Sequence, residues 1–369
     1  MRSTLYVDYI YLTGHVNFNN IHIKAILEQD KNAKLVLFKR IARQLPYTSA
    51  QYALKLPNLL EKKDGHPFLN RIRFLITLIY IKIRVRPEKY KKVIVSSCDE
   101  ITLGLCPLCR NMYIISHGNA RNMANSLKRY FCKRLARHNT FIVFNHNMAQ
   151  PFLKNGIHKL HIISHGCVEP THTIQHQPSP KKHRLTIFHP STRPEQSFID
   201  QLTHSPQFLR FLREEDILLI LRKSSPPCKG GVRGGLNGKS QEKNPNIQFI
   251  NRYLTTQEYL TLFHQSDIIL LAYPPQFKYM VSGVSYECVA NKKNILILHN
   301  PSLAYCAPYY NYNVFFKDIT QLCERITYLK NHPEATCIVS PQQLQPDYAP
   351  LYNNSSPPCK GGVRGGLKD

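Results

Sequence analysis

The residues of this chain best suited to chemistry stand in one run, Ser282-Gly283-Val284-Ser285-Tyr286-Glu287, just behind the apolar stretch Asp267–Tyr273. Asp267–Ala272 reads as a buried strand, Tyr273–Val281 as a Pro-containing loop, and Ser282 with Gly283 as the opening of a helix. A small Ser-Gly pair at a helix start exposes backbone N–H groups at the positive end of the helix dipole, a setting suited to a diphosphate. Glu287 lies a little over one turn further on and faces the same side, where a carboxylate can accept hydrogen bonds from ribose hydroxyls.

Two Ser-His-Gly triplets follow apolar runs: Ser116-His117-Gly118 behind Met112–Ile115, and Ser164-His165-Gly166 behind His161–Ile163. A glycine after a strand lets the chain turn sharply, and a histidine there can reach a cleft and pass a proton. Thr13-Gly14-His15-Val16-Asn17-Phe18-Asn19 follows the first strand and precedes a helical pattern, so His15 or Asn19 can either bind sugar hydroxyls or cap the helix. Cys106-Pro-Leu-Cys109 has zinc-like spacing without a second pair nearby, and Asp-x-Asp is absent, so no metal is expected.

The elements that must carry these residues are short β-rich runs alternating with helical patterns. The first set is Leu5–Leu12, Lys34–Phe38, Lys92–Ser96, Met112–Ser116, Phe141–Phe144 and His161–Ser164. The second is Leu185–Phe188, Asp216–Leu221, Ile247–Ile250, Asp267–Ala272, Ile295–Leu298 and Val314–Phe316. Near-continuous apolar strands are what parallel sheets covered on both faces require. The expected organisation is α/β, with two Rossmann-like parallel-sheet domains facing a cleft. They span 1–168 and 183–335, are joined by a Pro/Thr/Gln/His-rich linker at 169–182, and are followed by a tail at 336–369. Ser224–Leu236 recurs letter for letter as Ser355–Leu367. Its glycines lack the strand and helix a phosphate loop needs, so it reads as a loop insertion and a tail copy without a ligand role.

A formal charge of +26, from 49 Lys+Arg against 23 Asp+Glu, implies attraction to something anionic. No nucleic-acid-binding signature accompanies it, so an anionic membrane surface and a phosphorylated substrate are the favoured partners. Arg71–Arg86 has an apolar centre with basic flanks. It reads as an interfacial helix, a core helix or a strand. No apolar run reaches the roughly 18–20 residues of a membrane span. Without a leader segment the eleven cysteines read as cytosolic thiols.

The passage of strand, loop, Ser-Gly, helix, Glu and strand over 267–298 resembles the donor-binding half of GT-B glycosyltransferases, nearest the family 4-like enzymes. The resemblance implies a nucleotide-diphospho-sugar as co-substrate without a further cofactor, domain 183–335 on the donor side and domain 1–168 on the acceptor side. It places the ribose-binding carboxylate on Glu287, the diphosphate on Ser282 and Gly283, the leaving-group cation on Arg193, and an active-site histidine on His117. Gly14, His15 and Asn19 fall on the first loop. The family's earlier acidic residue falls on Tyr279, a departure that leaves the stereochemistry open. The implied activity is sugar transfer to a saccharide or lipid-linked acceptor in surface polysaccharide synthesis, in the cytoplasm or on the inner membrane face. The alternatives are a nucleotide-sugar epimerase, a glycerophosphate transferase, or a non-catalytic protein binding anionic surfaces or nucleic acid.

Overall fold

The computed structural model describes residues 2–10, 15–61, 66–168, 184–191, 194–222, 244–252 and 254–353. Both repeat copies and the whole of the expected linker lie outside the described residues. The chain divides into two compact units, one holding Met1–Val168, Tyr279–Val281 and Gln342–Asp369, the other Glu169–Lys278 and Ser282–Pro341.

The first unit is a seven-stranded sheet. Its strands are β1 (Arg2–Asp8), β2 (Lys34–Phe38), β3 (Tyr52–Leu56), β4 (Tyr90–Ser97), β5 (Tyr113–Ile115), β6 (Thr140–Val143) and β7 (Leu160–Ile162), in the order β3-β2-β1-β4-β5-β6-β7. All pairings are parallel; on β1, Tyr6 is matched with Leu35 on one side and Ile94 on the other. Leu5, Tyr6, Val7, Ile94 and Val95 have no exposed surface. Side chains pointing to both faces are thus covered, each large aliphatic contributing on the order of 1.5–3 kcal/mol. The helix Val16–Gln29 covers β1 with Phe18, His22, Ile23 and Ile26, spaced for one helical face.

The second unit is a six-stranded parallel sheet of β8 (Leu185–His189), β9 (Ile217–Arg222), β10 (Ile247–Ile250), β11 (Ile268–Leu271), β12 (Asn294–Leu298) and β13 (Phe315–Phe316), in the order β10-β9-β8-β11-β12-β13. In both sheets the order reverses beside the first strand, at β1/β4 and at β8/β11. Such reversals open a crevice at the carboxyl ends of the strands.

The structure departs from the sequence expectations in particular places. β3 is an added edge strand, unmarked in sequence because Tyr-Ala-Leu-Lys-Leu is only half-buried along most of its length. β1 ends at Asp8; Tyr9 and Ile10 are buried beyond the strand, and the expected end at Leu12 lies outside the described residues. Of the three readings open for Arg71–Arg86, the chain takes a helix, Pro67–Val85, started by Pro67 in its first turn and stopped by Arg86 in the left-handed region (φ 54°) before Pro87. Of the expected tail, 336–341 belongs to the second unit, and the described residues from Gln342 on are built into the first. Tyr348 is buried against His22, Tyr352 Oη lies 2.8 Å from Thr4 Oγ1, and Ser164 Oγ donates to the Leu344 carbonyl at 2.6 Å.

Gly166 closes this junction. Its φ is +84°, and a Cβ there would press into Ile21 Cγ2 and come within 2.9 Å of Pro346 Cδ. Gly166→Ala combines backbone strain with overpacking and should cost about 2–4 kcal/mol, read as a lower urea midpoint of the full chain. Gly118→Ala is the control: φ is −124° and open space surrounds the would-be Cβ, so stability should stay within about 0.5 kcal/mol.

Candidate functional site

In the second unit the loop after β11 delivers Ser282 as N-cap of the helix Gly283–Ala290. Ser282 is itself tied inward. Its Oγ lies 2.8 Å from Tyr273 Oη and accepts from Ser285 N, while its own N–H donates to Tyr305 Oη at 2.9 Å. The side chain is therefore engaged in holding the helix start. Gly283 is exposed, and a Cβ on it would meet nothing within 4 Å. Its N–H and that of Val284, in the first helical turn, have no acceptor a turn earlier within the helix, which leaves an uncovered donor pair.

Glu287 stands four residues after Gly283, on the same helical face. It is half-buried, and its Oε2 accepts from Tyr259 Oη at 2.7 Å. Burial raises its pKa, and the Tyr259 hydrogen bond works against that rise. Tyr259 comes from the helix Thr256–Gln265, whose start is fixed by a capping box between Thr255 and Glu258, reinforced by Arg252 on Glu258 at 2.6 Å. Tyr279, at the position where the resembling family carries an acid, sits in the left-handed region at φ 54°.

Arg193 lies outside the described residues. Two neighbouring groups went unnoticed in the sequence. His189 ends β8 at the switch point, fully buried, with its pKa pushed down to about 4 by burial. Arg222 ends β9 beside it and donates to the Pro190 carbonyl at 3.5 Å. The only signal for either was its place at a strand end, and the expected strand stopped one residue short of Arg222.

In the first unit the expected His15 and His117 come together, with His165 from the second triplet. His15 stands at the N-cap position of the helix Val16–Gln29 without a side-chain cap hydrogen bond, His117 follows β5 and His165 follows β7; the His15 and His117 rings are 4.6 Å apart. Phe18 and Phe144 fill the space between them, Phe18 lying 4.2 Å from His117 and 5.2 Å from His165. A fourth imidazole, His22, was hidden in a helical pattern. Its Nε2 is 3.1 Å from the His165 carbonyl, and its Nδ1 is 2.8 Å from Tyr348 Oη. A carbonyl only accepts, so Nε2 carries the proton and Nδ1 accepts from the tyrosine. Desolvation pulls all four pKa values down, His15 and His165 to about 4, and neighbouring imidazoles lower those of His22, His117 and His165 further. Near neutrality this is a cluster of uncharged rings, three of them partly exposed, able to donate or accept hydrogen bonds.

The remaining first-loop residues divide. Gly14 lies outside the described residues. Asn19 is fully buried: its Nδ2 donates to Asp8 Oδ2 at 2.8 Å, and its Oδ1 accepts from Tyr6 Oη at 2.8 Å and Ser96 Oγ at 3.2 Å. It joins β1 to β4 at the switch point. Glu100 does similar work behind His117, accepting from Asn119 at 2.7 Å and Asn122 at 2.6 Å. Surface recesses of about 430 Å³ beside Lys34, Tyr52 and Arg84, and of about 620 Å³ beside Phe249, Arg252 and Gln257, involve none of the expected site residues.

No family model matches the chain, and no curated protein matches it. Solved structures do. A UDP-GlcNAc 2-epimerase from Neisseria meningitidis bound to UDP-GlcNAc is similar over 90% of this chain and 92% of that one, with TM-score 0.55 and 11% identity. A glycosyltransferase from Rickettsia africae covers 90% and 88%, with TM-score 0.53 and 14% identity. An α,α-trehalose-phosphate synthase (UDP-forming) from Burkholderia vietnamiensis covers 96% and 97%, with TM-score 0.54 and 11% identity. At these identities the likeness is one of fold: two Rossmann-like parallel-sheet domains of GT-B type.

The histidines make an acid-lability prediction. Their folded pKa values lie below the ordinary 6.5, so the unfolded chain binds more protons between about pH 6.5 and 4. Stability is therefore full above pH 6.5 and falls as the pH drops, by at most roughly 1.4 kcal/mol per pH unit for each such imidazole. Urea midpoints measured from pH 7.5 to 4.5 should fall steeply below 6.5, and His165→Gln should flatten that slope.

Proposed function

We propose that the chain is a nucleotide-sugar-dependent glycosyltransferase whose donor is held by the helix Gly283–Ala290. The observation that carries this reading is the pairing, on one helical face, of an uncovered amino-terminal turn at Gly283 with Glu287 a turn below, fixed by Tyr259. The first feature suits a diphosphate and the second a ribose diol, at a spacing set by the helix. The N-terminal dipole would favour the growing negative charge of the departing nucleotide diphosphate, as would Arg193 or the Arg222 guanidinium. The imidazoles of His15 and His117, uncharged near neutrality, would meet the acceptor or the transferred sugar; a neutral ring can take a hydroxyl proton as the new glycosidic bond forms.

The solved structures of like fold support the choice of donor class, since their names include a UDP-forming synthase and an enzyme bound to UDP-GlcNAc. Two of those named above are transferases or synthases, which favours transfer. The epimerase favours a second reading, in which the same donor site serves nucleotide-sugar epimerisation. The finer proposal is a saccharide or lipid-linked acceptor in surface polysaccharide synthesis, in the cytoplasm or on the inner membrane face.

Incubation with uridine, guanosine and cytidine diphospho-sugars separates the two. Transfer leaves free nucleotide diphosphate and a longer acceptor, whereas epimerisation returns an isomeric sugar without an acceptor. In calorimetric titrations Glu287→Ala should weaken donor binding about 10- to 100-fold by removing charge-assisted hydrogen bonds. Donor affinity equal to wild type would end this reading of the site.

A further inference from the structure

The helix Pro67–Val85 is apolar on two opposite faces, and only one of them is used by the fold. Asn70, Phe74, Thr77, Leu78, Ile81 and Val85 are buried against the first unit. On the opposite side Phe68, Ile72, Ile76, Ile79 and Ile83 follow at steps of four, four, three and four, which makes a single stripe along the helix. They stand in solvent, with Ile76 at 49%, Ile79 at 50% and Ile83 at 68% exposure. A continuous exposed row of large aliphatic side chains is uncommon on a soluble surface and marks an interaction site.

Charge says what covers it. At 100° per residue, Arg71, which pairs with Asp99 at 3.5 Å, and Lys82 fall along one border of the stripe, and Arg73 and Arg84 along the other. The helix contains no acidic residue. Basic side chains on both borders of an apolar stripe are placed to snorkel to anionic headgroups while the stripe enters the acyl boundary. A second copy of the chain packed stripe to stripe would instead set these basic borders against each other. Nineteen residues make a helix of about 28 Å. Among the described residues no helix is long and apolar enough to cross a membrane, so this one would lie along the surface.

We propose that the outward face of Pro67–Val85 docks the protein onto an anionic lipid bilayer. The inference goes beyond the nucleotide-sugar reading and does not depend on it, since it stands on a face of the first unit.

Vesicle flotation of the full chain tests it, comparing pure phosphatidylcholine with phosphatidylcholine–phosphatidylglycerol, alongside light scattering without lipid. The wild type should float with the anionic vesicles alone, be released by salt, and be monomeric without lipid. Ile76→Glu with Ile79→Glu, both at exposed positions, should keep the melting temperature and lower vesicle partition by about tenfold or more. A wild type that does not float with anionic vesicles overturns the proposal. Folded glutamate variants that bind as well as wild type overturn it in favour of diffuse charge attraction. A lipid-free dimer dissociated by the glutamates overturns it in favour of self-association.

Discussion

Parallel pairing is the constraint on which the rest of this molecule depends. Each strand of both sheets runs in the same direction as its neighbours, so no hairpin can join them and each connection must cross back over a face. Within each unit this gathers the loops that follow the strands along one sheet edge. The reversal of strand order then parts two of them, at β1/β4 in the first unit and β8/β11 in the second. His15, His117 and His165 in the first unit, and Ser282 leading to Glu287 in the second, stand at those edges because the topology leaves nowhere else for an open loop to converge.

Positioning at these edges rests on buried polar groups that are fully spent on their neighbours. Asn19 binds Asp8, Tyr6 and Ser96; Ser282 binds Tyr273, Ser285 and Tyr305. A buried amide or hydroxyl without such partners costs free energy, so these residues fix the loop geometry. They hold in place the uncovered turn at Gly283, the Glu287 carboxylate and the partly exposed imidazoles. The imidazole cluster also carries an acid-sensitive element, because its rings are stable together only while uncharged.

The strands were legible wherever burial on both faces produced an unbroken apolar run, as in β2, β4, β9 and β11. β3 was not, because a half-buried edge strand carries no such run. Gly283 and Glu287 were legible together because a helix start and a fixed helical spacing are local features. His22 was not, since a histidine one turn after Phe18 reads as helix surface until the fold brings β7 and Tyr348 to it. Arg71–Arg86 was ambiguous for a physical reason: with apolar residues on two opposite faces, its pattern does not choose between core and interface, and the structure buries one face and leaves the other exposed. Asn19 and Ser282 have types that suit both a ligand contact and a structural hydrogen bond, and their protein partners become visible only in three dimensions.

The donor site proposed above is one place, the face of Gly283–Ala290 that carries Gly283 and Glu287. Hydrogen–deuterium exchange on the full chain, with and without uridine, guanosine or cytidine diphospho-sugar, addresses that place directly. A bound diphosphate would occupy the free N–H groups of the first turn, so exchange across 283–287 should slow with at least one of the three donors. Unchanged exchange there with all three, or protection confined to other segments, would contradict it.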